Sequence, residues 1–404
     1  MSEVLTKPPQ VDRPGRVPPV VMLIPAYNEE QSIERTVRAA VAQDYPVRVV
    51  VLANNCTDLT AEAARAVPGV TVIELPTEPH KKAGSLNHGY FRYRQEADYF
   101  VCIDADTILP PDSVRLWVGQ MEREPQSGGV SARFTMQPTP GAPAWENFLA
   151  RMQKHEFAGW TDKALNRGGH TSVLAGTASI FRVAALDEIV DLRLVRNSYE
   201  YGPWFYGSLV EDYDLTYELR MAGWHCKVSY EVRAYTEAMR SLRTLWAQRM
   251  KWQAGTVEDL IRQGLTPCNY REWAAQVQAL TMTFVRMLWL GTMTLFAALG
   301  ILTIQWFWIF LPFFFVLADM KRSLRVPHRD NRDVLLAATF FPLELAAWFQ
   351  GFLWSFAYVE VLKGKLTGQR KDRWALQAAA EGGRAGSGIR AIPVGKPVSV
   401  REEL

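Results

Sequence analysis

The first hundred residues alternate short apolar runs with segments of helical periodicity, and this alternation constrains the fold more than any other feature. The apolar runs predict four strands, at residues 20–24, 48–52, 70–75 and 99–103. Polar junctions lead from them into helices predicted to begin near Glu30, Thr60 and Lys81. Strands that alternate with helices predict an α/β fold of Rossmann-like type, with a mostly parallel sheet covered by helices on both faces.

Two carboxylates, Asp104 and Asp106, stand one residue apart where the fourth predicted strand ends. In an open α/β sheet the carboxyl ends of the strands form the crevice that binds ligands. Side chains at this spacing point the same way only while the backbone stays extended. Paired carboxylates there suit Mg²⁺ or Mn²⁺ holding a substrate diphosphate. A polar turn begun by Asp106 explains the tripeptide equally well when it is considered alone.

Missing motifs and the overall charge narrow the function classes. The sequence contains no G-x-x-x-x-G-K-[ST] and no G-x-G-x-x-G after the first strand, which counts against P-loop and dinucleotide-binding proteins and against a sugar nucleotidyltransferase. A formal net charge of +3 over 404 residues does not favour nucleic acid as a partner. The four cysteines form no C-x-x-C spacing, so neither zinc nor a disulfide framework is indicated.

The last third of the chain carries three apolar stretches, at residues 280–301, 304–319 and 334–362. A membrane span needs roughly 20 residues, so the second stretch is short for one. Flanking tryptophan and basic residues favour a membrane. Basic segments at 321–332 and 363–373 should both face the cytosol, which requires one stretch to re-enter or to lie in the interface. We therefore predict a multi-pass or interfacial membrane protein with a cytoplasmic catalytic domain.

Five short motifs follow one another between residues 20 and 255. They are Pro-Ala-Tyr-Asn-Glu from Pro25, Asn-Asn-Cys-Thr-Asp from Asn54, Lys-Ala-Gly-Ser-Leu-Asn from Lys82, Asp-Ala-Asp from Asp104, and Glu211-Asp212 followed by Gln-Arg-Met-Lys-Trp from Gln248. Each is weak alone, but all five in this order resemble the family-2 glycosyltransferases of the GT-A fold. The resemblance is greatest to the membrane-associated branch that includes hyaluronan, chitin, cellulose and poly-N-acetylglucosamine synthases.

Two positions depart from the family pattern. Asn54 stands where the family usually has an Asp that meets the uracil ring, and an amide can still pair with a pyrimidine edge because it both donates and accepts. Lys251 replaces the arginine of the usual Gln-x-x-Arg-Trp, and lysine lacks the planar fork that binds phosphate in a bidentate way. The identity of the nucleotide base is therefore left open. Either Arg249 or Lys251 could be the diphosphate contact.

The resemblance implies inverting, metal-dependent transfer of a sugar from a nucleotide-sugar, a UDP-sugar by analogy, to a hydroxyl acceptor. By resemblance Asp212 is the general base, and Asp106 with Asp104 holds Mn²⁺ or Mg²⁺. The residues implied to line the donor nucleotide are Pro25, Ala26, Tyr27, Glu29, Asn54, Lys82 and Asp104. The residues implied to meet the acceptor or the diphosphate are Gly176, Thr177, Glu211, Gln248, Arg249, Lys251 and Trp252.

The expected acceptor is a lipid-, glycan- or protein-linked hydroxyl at the membrane, and transfer of one or few sugars is expected. Three apolar stretches and no N-terminal span argue against a channel formed by one chain. The alternative is a processive polysaccharide synthase whose channel forms by oligomerisation. A non-enzyme alternative is a sugar-nucleotide-binding subunit of a membrane assembly.

The expected domain organisation has four parts. They are a flexible tail at 1–19, the GT-A domain at 20–260, a membrane-associated or transmembrane helical region at 261–375, and a disordered tail at 376–404.

Overall fold

The computed structural model describes residues 16–136, 141–196, 202–303, 310–326, 329–381 and 392–393. The strands are β1 Val20–Ala26, β2 Val47–Asn54, β3 Val70–Leu75, β4 Tyr99–Ile103, β5 Ser127–Met136, β6 Ala178–Arg182, β7 His225–Thr236, β8 Gln369–Arg370 and β9 Ile392–Pro393. The helices are α1 Ile33–Val41, α2 Thr60–Arg65, α3 Lys81–Tyr93, α4 Ser113–Arg123, α5 Ala144–Leu165, α6 Val183–Val195, α7 Glu211–Met221, α8 Leu242–Gln263, α9 Tyr270–Ala298, α10 Phe310–Ser323, α11 Asn331–Ala338, α12 Phe341–Thr367 and α13 Arg373–Ala380.

Seven of the strands form one mixed sheet in the order β3-β2-β1-β4-β6-β5-β7. The first four strands pair in parallel, as the alternation of strands and helices predicted. The pairs β4–β6 and β5–β6 are antiparallel. The predicted strands at 70–75 and 99–103 have the predicted bounds. The first two strands run further, to Ala26 and Asn54, because the parallel ladder continues to the Asn54–Leu75 pair.

The chain divides into two compact units, which we call the sheet unit and the helical unit. The sheet unit comprises Met1–Phe134, Arg167–Tyr206 and Leu215–Thr236, and the helical unit comprises Thr135–Asn166, Gly207–Asp214 and Glu237–Leu404. In chain order the division passes through α7, after Asp214.

Both faces of the sheet are buried in the sheet unit. In β1, Val20, Met22 and Ile24 belong to an apolar cluster that includes Trp117 of α4. The alternate residues of the same strand, Val21 and Leu23, belong to a second cluster that includes Leu86 and Tyr90 of α3. A strand covered on both faces reads as a continuous apolar run. This is the reason that residues 20–24 show no alternation of polar and apolar side chains.

Two helices of the described chain, α9 and α12, have the length and composition to cross a membrane. They are 29 and 27 residues long with mean hydropathy 1.3 and 1.2, and 6% and 22% of their apolar windows are buried. These criteria alone are weak support for a span. The predicted stretches at 280–301 and 334–362 overlap these helices. The stretch at 304–319 lies partly outside the described residues, and its described part belongs to α10, a helix of 14 residues.

The terminal predictions fall largely outside the described chain. Residues 1–15, 382–391 and 394–404 are not among the described residues. Within the C-terminal segment predicted to be disordered, α13 extends to Ala380. The side chain of Asp372 caps this helix by accepting a hydrogen bond from the backbone N–H of Ala375 at 3.1 Å. A capped first turn is a local reason for helix at this place.

Candidate active site

In the sheet unit, the loops that follow β1 and β2 are hydrogen-bonded to each other. The side-chain oxygen of Asn28 accepts from the backbone N–H of Thr57 at 2.8 Å, and the backbone N–H of Glu29 donates to the Thr60 hydroxyl at 2.7 Å. Asn28 adopts a φ of 54°, a left-handed conformation that asparagine tolerates better than most residues. The structure therefore brings the first two predicted motifs together at the carboxyl edge of the parallel strands.

Two of the predicted nucleotide-binding residues differ sharply in exposure. Tyr27 is 47% exposed, whereas Asn54 is 5% exposed at the end of β2. The buried side-chain oxygen of Asn54 has no hydrogen-bond partner in the part of the chain that the structure describes. An unsatisfied buried acceptor costs about 1–3 kcal/mol, so a donor N–H from a ligand would be stabilising there.

The third and fourth predicted motifs meet through Lys82 and Asp104. The Lys82 ammonium lies 2.5 Å from a carboxylate oxygen of Asp104 and 3.4 Å from the backbone carbonyl oxygen of Gly176. The backbone N–H of Asp104 donates to the Thr177 carbonyl at 3.1 Å. Both charged side chains are partly buried, being 17% and 35% exposed. The sheet unit therefore joins four predicted site residues from three separate segments of the chain.

Asp106 lies after β4, in a turn rather than in the strand. Its carboxylate accepts hydrogen bonds from the hydroxyls of Thr236, at 3.1 Å, and Thr107, at 3.3 Å. Within the described residues no group of three His, Cys, Asp or Glu is placed to hold a metal ion. A magnesium or manganese ion that binds a diphosphate commonly takes one or two protein carboxylates and completes its shell with phosphate oxygens and water. Asp104 and Asp106 supply the number of carboxylates that this mode of binding uses, but the turn at Asp106 does not keep the extended backbone that would point both side chains the same way.

In the helical unit, the predicted Glu211-Asp212 pair opens α7. Glu211 is 6% exposed, and a carboxylate oxygen of Asp212 accepts from the backbone N–H of Tyr213 at 2.8 Å. Asp214 is a third acid in the same first turn. Negative charge is stabilised at the amino end of a helix by the aligned peptide dipoles. The motif therefore forms the first turn of α7, which ends at Met221.

Arg249, one of the two predicted diphosphate contacts, is held by a neighbouring carboxylate. Its guanidinium donates to both carboxylate oxygens of Glu156 on α5, the shortest bond being 2.8 Å, and the two side chains are 6% and 14% exposed. The same guanidinium lies 4.3 Å from the ring centroid of Trp252 and contacts the amide oxygen of Gln248. In this structure the arginine joins α8 to α5.

Lys251, the other predicted diphosphate contact, is 6% exposed. Its ammonium lies 3.4 Å from the ring centroid of Trp374, on α13. A cation over an aromatic face is stabilised electrostatically. Trp252 packs near Trp160 and Phe157 of α5. The three central residues of the Gln248–Trp252 motif are thus buried on α8, and the two end residues are partly buried.

Replacing Arg249 by Met is expected to destabilise the protein. The change leaves the buried Glu156 carboxylate without its guanidinium, and loss of one partner of a buried pair costs about 3–5 kcal/mol. Thermal unfolding followed by circular dichroism in detergent measures the effect. Arg38→Met is the matched control because its pair with Glu34 is exposed on both sides. Equal unfolding midpoints for the two variants would contradict the structural role of Arg249.

A buried pair of acids, Asp214 from the first turn of α7 and Asp259 from α8, shares one arginine. Asp214 and Asp259 are 1% and 3% exposed, and one guanidinium nitrogen of Arg262 donates to both, at 2.5 Å and 2.9 Å. Burial and the neighbouring Asp214 carboxylate raise the pKa of Asp259 to about 7. Burial opposes the charge on Arg262, but the carboxylates of Asp214 and Asp259 raise its pKa overall.

The raised pKa of Asp259 predicts a pH-dependent contribution to stability. The folded chain holds this proton more tightly than the unfolded chain, so the contribution is full below the ordinary pKa of 3.8 and is lost as pH rises towards about 7. Asp259→Asn lacks this titration. We expect the unfolding midpoint of the variant, relative to wild type, to rise between pH 5 and pH 8 when both are measured by differential scanning calorimetry. A difference that stays constant over that range would refute the assignment.

Several contacts of the site had no signal in the sequence. Glu156 and Thr236 belong to no motif and lie within a long helix and at the end of a strand. Asp259 and Arg262 follow the last motif at helical spacing, which is typical of any amphipathic helix. The sequence could have indicated these residues only if a charged residue predicted to be buried had been seen to need a partner.

The chain is similar in sequence to one protein family and to known enzymes. The sequence profile of the family described as "Glycosyltransferase like family 2" matches residues 18–255. The poly-beta-1,6-N-acetyl-D-glucosamine synthase of Staphylococcus aureus strain COL is 23% identical over 285 residues, which are 67% of this chain and 64% of that protein. The enzyme of the same name from Staphylococcus epidermidis is 22% identical over 250 residues, 60% of this chain and 56% of that protein. The matches thus span less than two thirds of these relatives.

One solved structure is similar over most of its length. A mannosyltransferase from Pyrobaculum calidifontis, in complex with GDP-Man and Mn²⁺, superimposes with a TM-score of 0.53 and 21% sequence identity. The match covers 89% of this chain and 91% of that one. At this identity the similarity establishes a shared fold.

Proposed function

This chain belongs to glycosyltransferase family 2, and from that premise we propose that it transfers a sugar from a nucleotide-sugar to an acceptor hydroxyl with inversion at the anomeric carbon. The observation that carries the proposal is the Lys82–Asp104 pair at the carboxyl end of β4, beside the Gly176 carbonyl. It joins two of the segments implied to bind the donor and one implied to meet the acceptor or the diphosphate, at the edge where open α/β sheets bind ligands.

The donor nucleotide is proposed to lie along the ends of β1 and β2. Pro25, Ala26, Tyr27 and Glu29 would line it from the first loop, and Asn54 would meet the base. The amide oxygen of Asn54, which has no hydrogen-bond partner among the residues that the structure describes, supports this because it can accept an N–H from the base. Uracil and guanine both present a ring N–H, so a UDP-sugar is the first choice and a GDP-sugar is the second.

Asp106, with Asp104, is proposed to hold Mn²⁺ or Mg²⁺. When bound, the ion would neutralise the negative charge that develops on the leaving diphosphate. Lys82 is proposed to add positive charge on the same side, since its ammonium already lies at the Asp104 carboxylate. Gln248, Arg249 and Lys251 are proposed as further diphosphate or acceptor contacts.

Asp212 is proposed as the general base. It would accept the proton of the acceptor hydroxyl while that oxygen forms its bond to the anomeric carbon, and the bond from that carbon to the diphosphate oxygen breaks with its electron pair leaving on the diphosphate. The Asp212 side chain belongs to the first turn of α7, where the aligned peptide dipoles favour negative charge. Glu211, Trp252 and the Gly176–Thr177 turn are proposed to orient the acceptor.

We propose that residues 20–260 form the catalytic domain on the cytoplasmic side and that residues 261–375 associate with the membrane. The exposed apolar surfaces of α9 and α12 support this. A lipid-, glycan- or protein-linked hydroxyl at the membrane would then be the acceptor, and one or few sugars the expected product.

The decisive experiment incubates the purified full chain with a panel of UDP- and GDP-sugars, Mn²⁺ and native membranes, and identifies products by mass spectrometry. A mass increase of one or a few hexose units supports the proposal. Long homopolymers from the nucleotide-sugar alone would instead support a processive synthase. Nucleotide-sugar binding without either transfer or donor hydrolysis would indicate a non-enzymatic subunit.

A further inference from the structure

The first turn of α7 and the loop before it are fastened to α8 at three points. All lie within the helical unit. A Cβ at Gly255 would come within 2.9 Å of Leu209 and 3.0 Å of Val210, so α8 approaches this loop too closely for any larger residue. Asp259 and Arg262 follow Gly255 by four and seven residues. At that spacing the three positions share one face of a helix.

The second and third points are polar. The Ser208 hydroxyl donates to Asp259 at 2.6 Å and accepts from the backbone N–H of Val210 at 3.0 Å. One guanidinium nitrogen of Arg262 bridges Asp259 and Asp214. One arginine therefore satisfies two buried carboxylates, one from each helix. Buried charge left without this partner would be strongly destabilising at its position.

Asp212 lies between the fastened residues in the chain. Val210 precedes it by two residues and Asp214 follows it by two, and the backbone N–H of Asp214 donates to the Val210 carbonyl at 3.2 Å. Both ends of this short segment are thus fixed to α8. The same helix carries Gln248 to Trp252, and Trp252 lies less than one turn before Gly255.

We infer that Arg262, Asp259 and Ser208 form a positioning cluster. This cluster holds Asp212 at a fixed position relative to the Gln248–Trp252 motif. This inference rests on the proposed role of Asp212 as the base. The cluster makes no contact with substrate in this scheme and acts only through the backbone of Val210 to Asp214. A displacement of about 1 Å at a reacting group can lower a rate roughly 10²-fold, which sets the size of effect to expect.

The test compares Arg262→Met and Arg262→Lys with a matched control, Arg151→Met. Arg151, whose side chain is 13% exposed against 39% for Arg262, is another arginine of the helical unit that bridges two carboxylates, those of Asp330 and Asp333, each at 2.6 Å. Both Met variants should lower the unfolding midpoint. Only Arg262→Met should lower kcat, by about 10²-fold, with little change in KM for the nucleotide-sugar. Arg262→Lys should recover part of kcat because it keeps the charge.

Hydrogen–deuterium exchange supplies a measurement that does not depend on turnover. Peptides covering residues 207–217 should exchange faster in Arg262→Met than in Arg151→Met. If Arg262→Met does not fold, Ser208→Ala removes one hydrogen bond only and should change kcat and exchange in the same direction by less. Equal kcat losses in Arg262→Met and Arg151→Met, or unchanged exchange at 207–217, would overturn the inference. A wild-type chain without any turnover would refute the proposed function, and the exchange result would still decide on the cluster.

Discussion

Asp212→Asn is expected to leave the protein folded and able to bind its donor, and to lose nearly all transfer. Asparagine keeps the size of the side chain and an oxygen for the backbone N–H of Tyr213, which the Asp212 carboxylate accepts at 2.8 Å. It has no basic oxygen to take the proton of the acceptor hydroxyl. General base catalysis typically contributes 10²- to 10⁴-fold, so kcat should fall by about that factor.

The measurement combines single-turnover transfer with calorimetric titration of the donor that gave product in the panel experiment. Asp191→Asn is a suitable control because Asp191 is an exposed acid on α6. It should behave as wild type in both assays. Transfer by Asp212→Asn at a rate near that of the control would reject Asp212 as the base, and loss of donor binding would assign it a different role.

Asp106→Asn is expected to abolish metal-dependent transfer. The Asp106 carboxylate carries a charge that an amide does not, and an ion bound to the diphosphate would lose one of its two protein ligands. Several kcal/mol of transition-state stabilisation depend on such an ion, which at 1.36 kcal/mol per tenfold is about 10²- to 10⁴-fold in rate. EDTA should inhibit wild type reversibly, with activity restored by added Mn²⁺.

Binding of Mn²⁺ in the presence of UDP, followed by electron paramagnetic resonance, gives a readout separate from activity. Asp98→Asn is the matched control, since Asp98 immediately precedes the amino end of β4 and forms an exposed pair with Arg16. It should bind Mn²⁺ as wild type does. Full Mn²⁺ binding and full activity in Asp106→Asn would exclude this carboxylate as a metal ligand.

The sequence predicted the α/β fold and the family correctly, and it did so for local reasons. The run from Val20 and the run from Tyr99 are apolar without alternation because each is covered on both faces, and such runs are visible in a single sequence. The GT-A fold is confirmed by the solved structure of similar fold, and membership of family 2 by the matching profile. The order of the five motifs was sufficient to identify the family without any knowledge of their contacts.

The same reasoning could not assign partners to the charged residues. Arg249 and Lys251 looked equivalent as diphosphate contacts, but the structure pairs Arg249 with Glu156, 93 residues away, and places the Lys251 ammonium over Trp374. The spacing of residues within α8 does not indicate which partner Arg249 or Lys251 has. They depend on which faces of α5 and α13 lie against α8, and therefore on packing between distant segments.

What the sequence by itself determined is therefore the first four strands and the helices between them, the chemical types at the ends of those strands, and the family. Only the tertiary structure decided that Lys82 lies at Asp104 and that Arg262 bridges Asp214 and Asp259. It also decided that the buried oxygen of Asn54 finds no hydrogen-bond partner among the described residues. The physical reason is that secondary structure follows from neighbours within a few residues, whereas an ion pair or an unsatisfied acceptor follows from the surroundings that the whole fold creates.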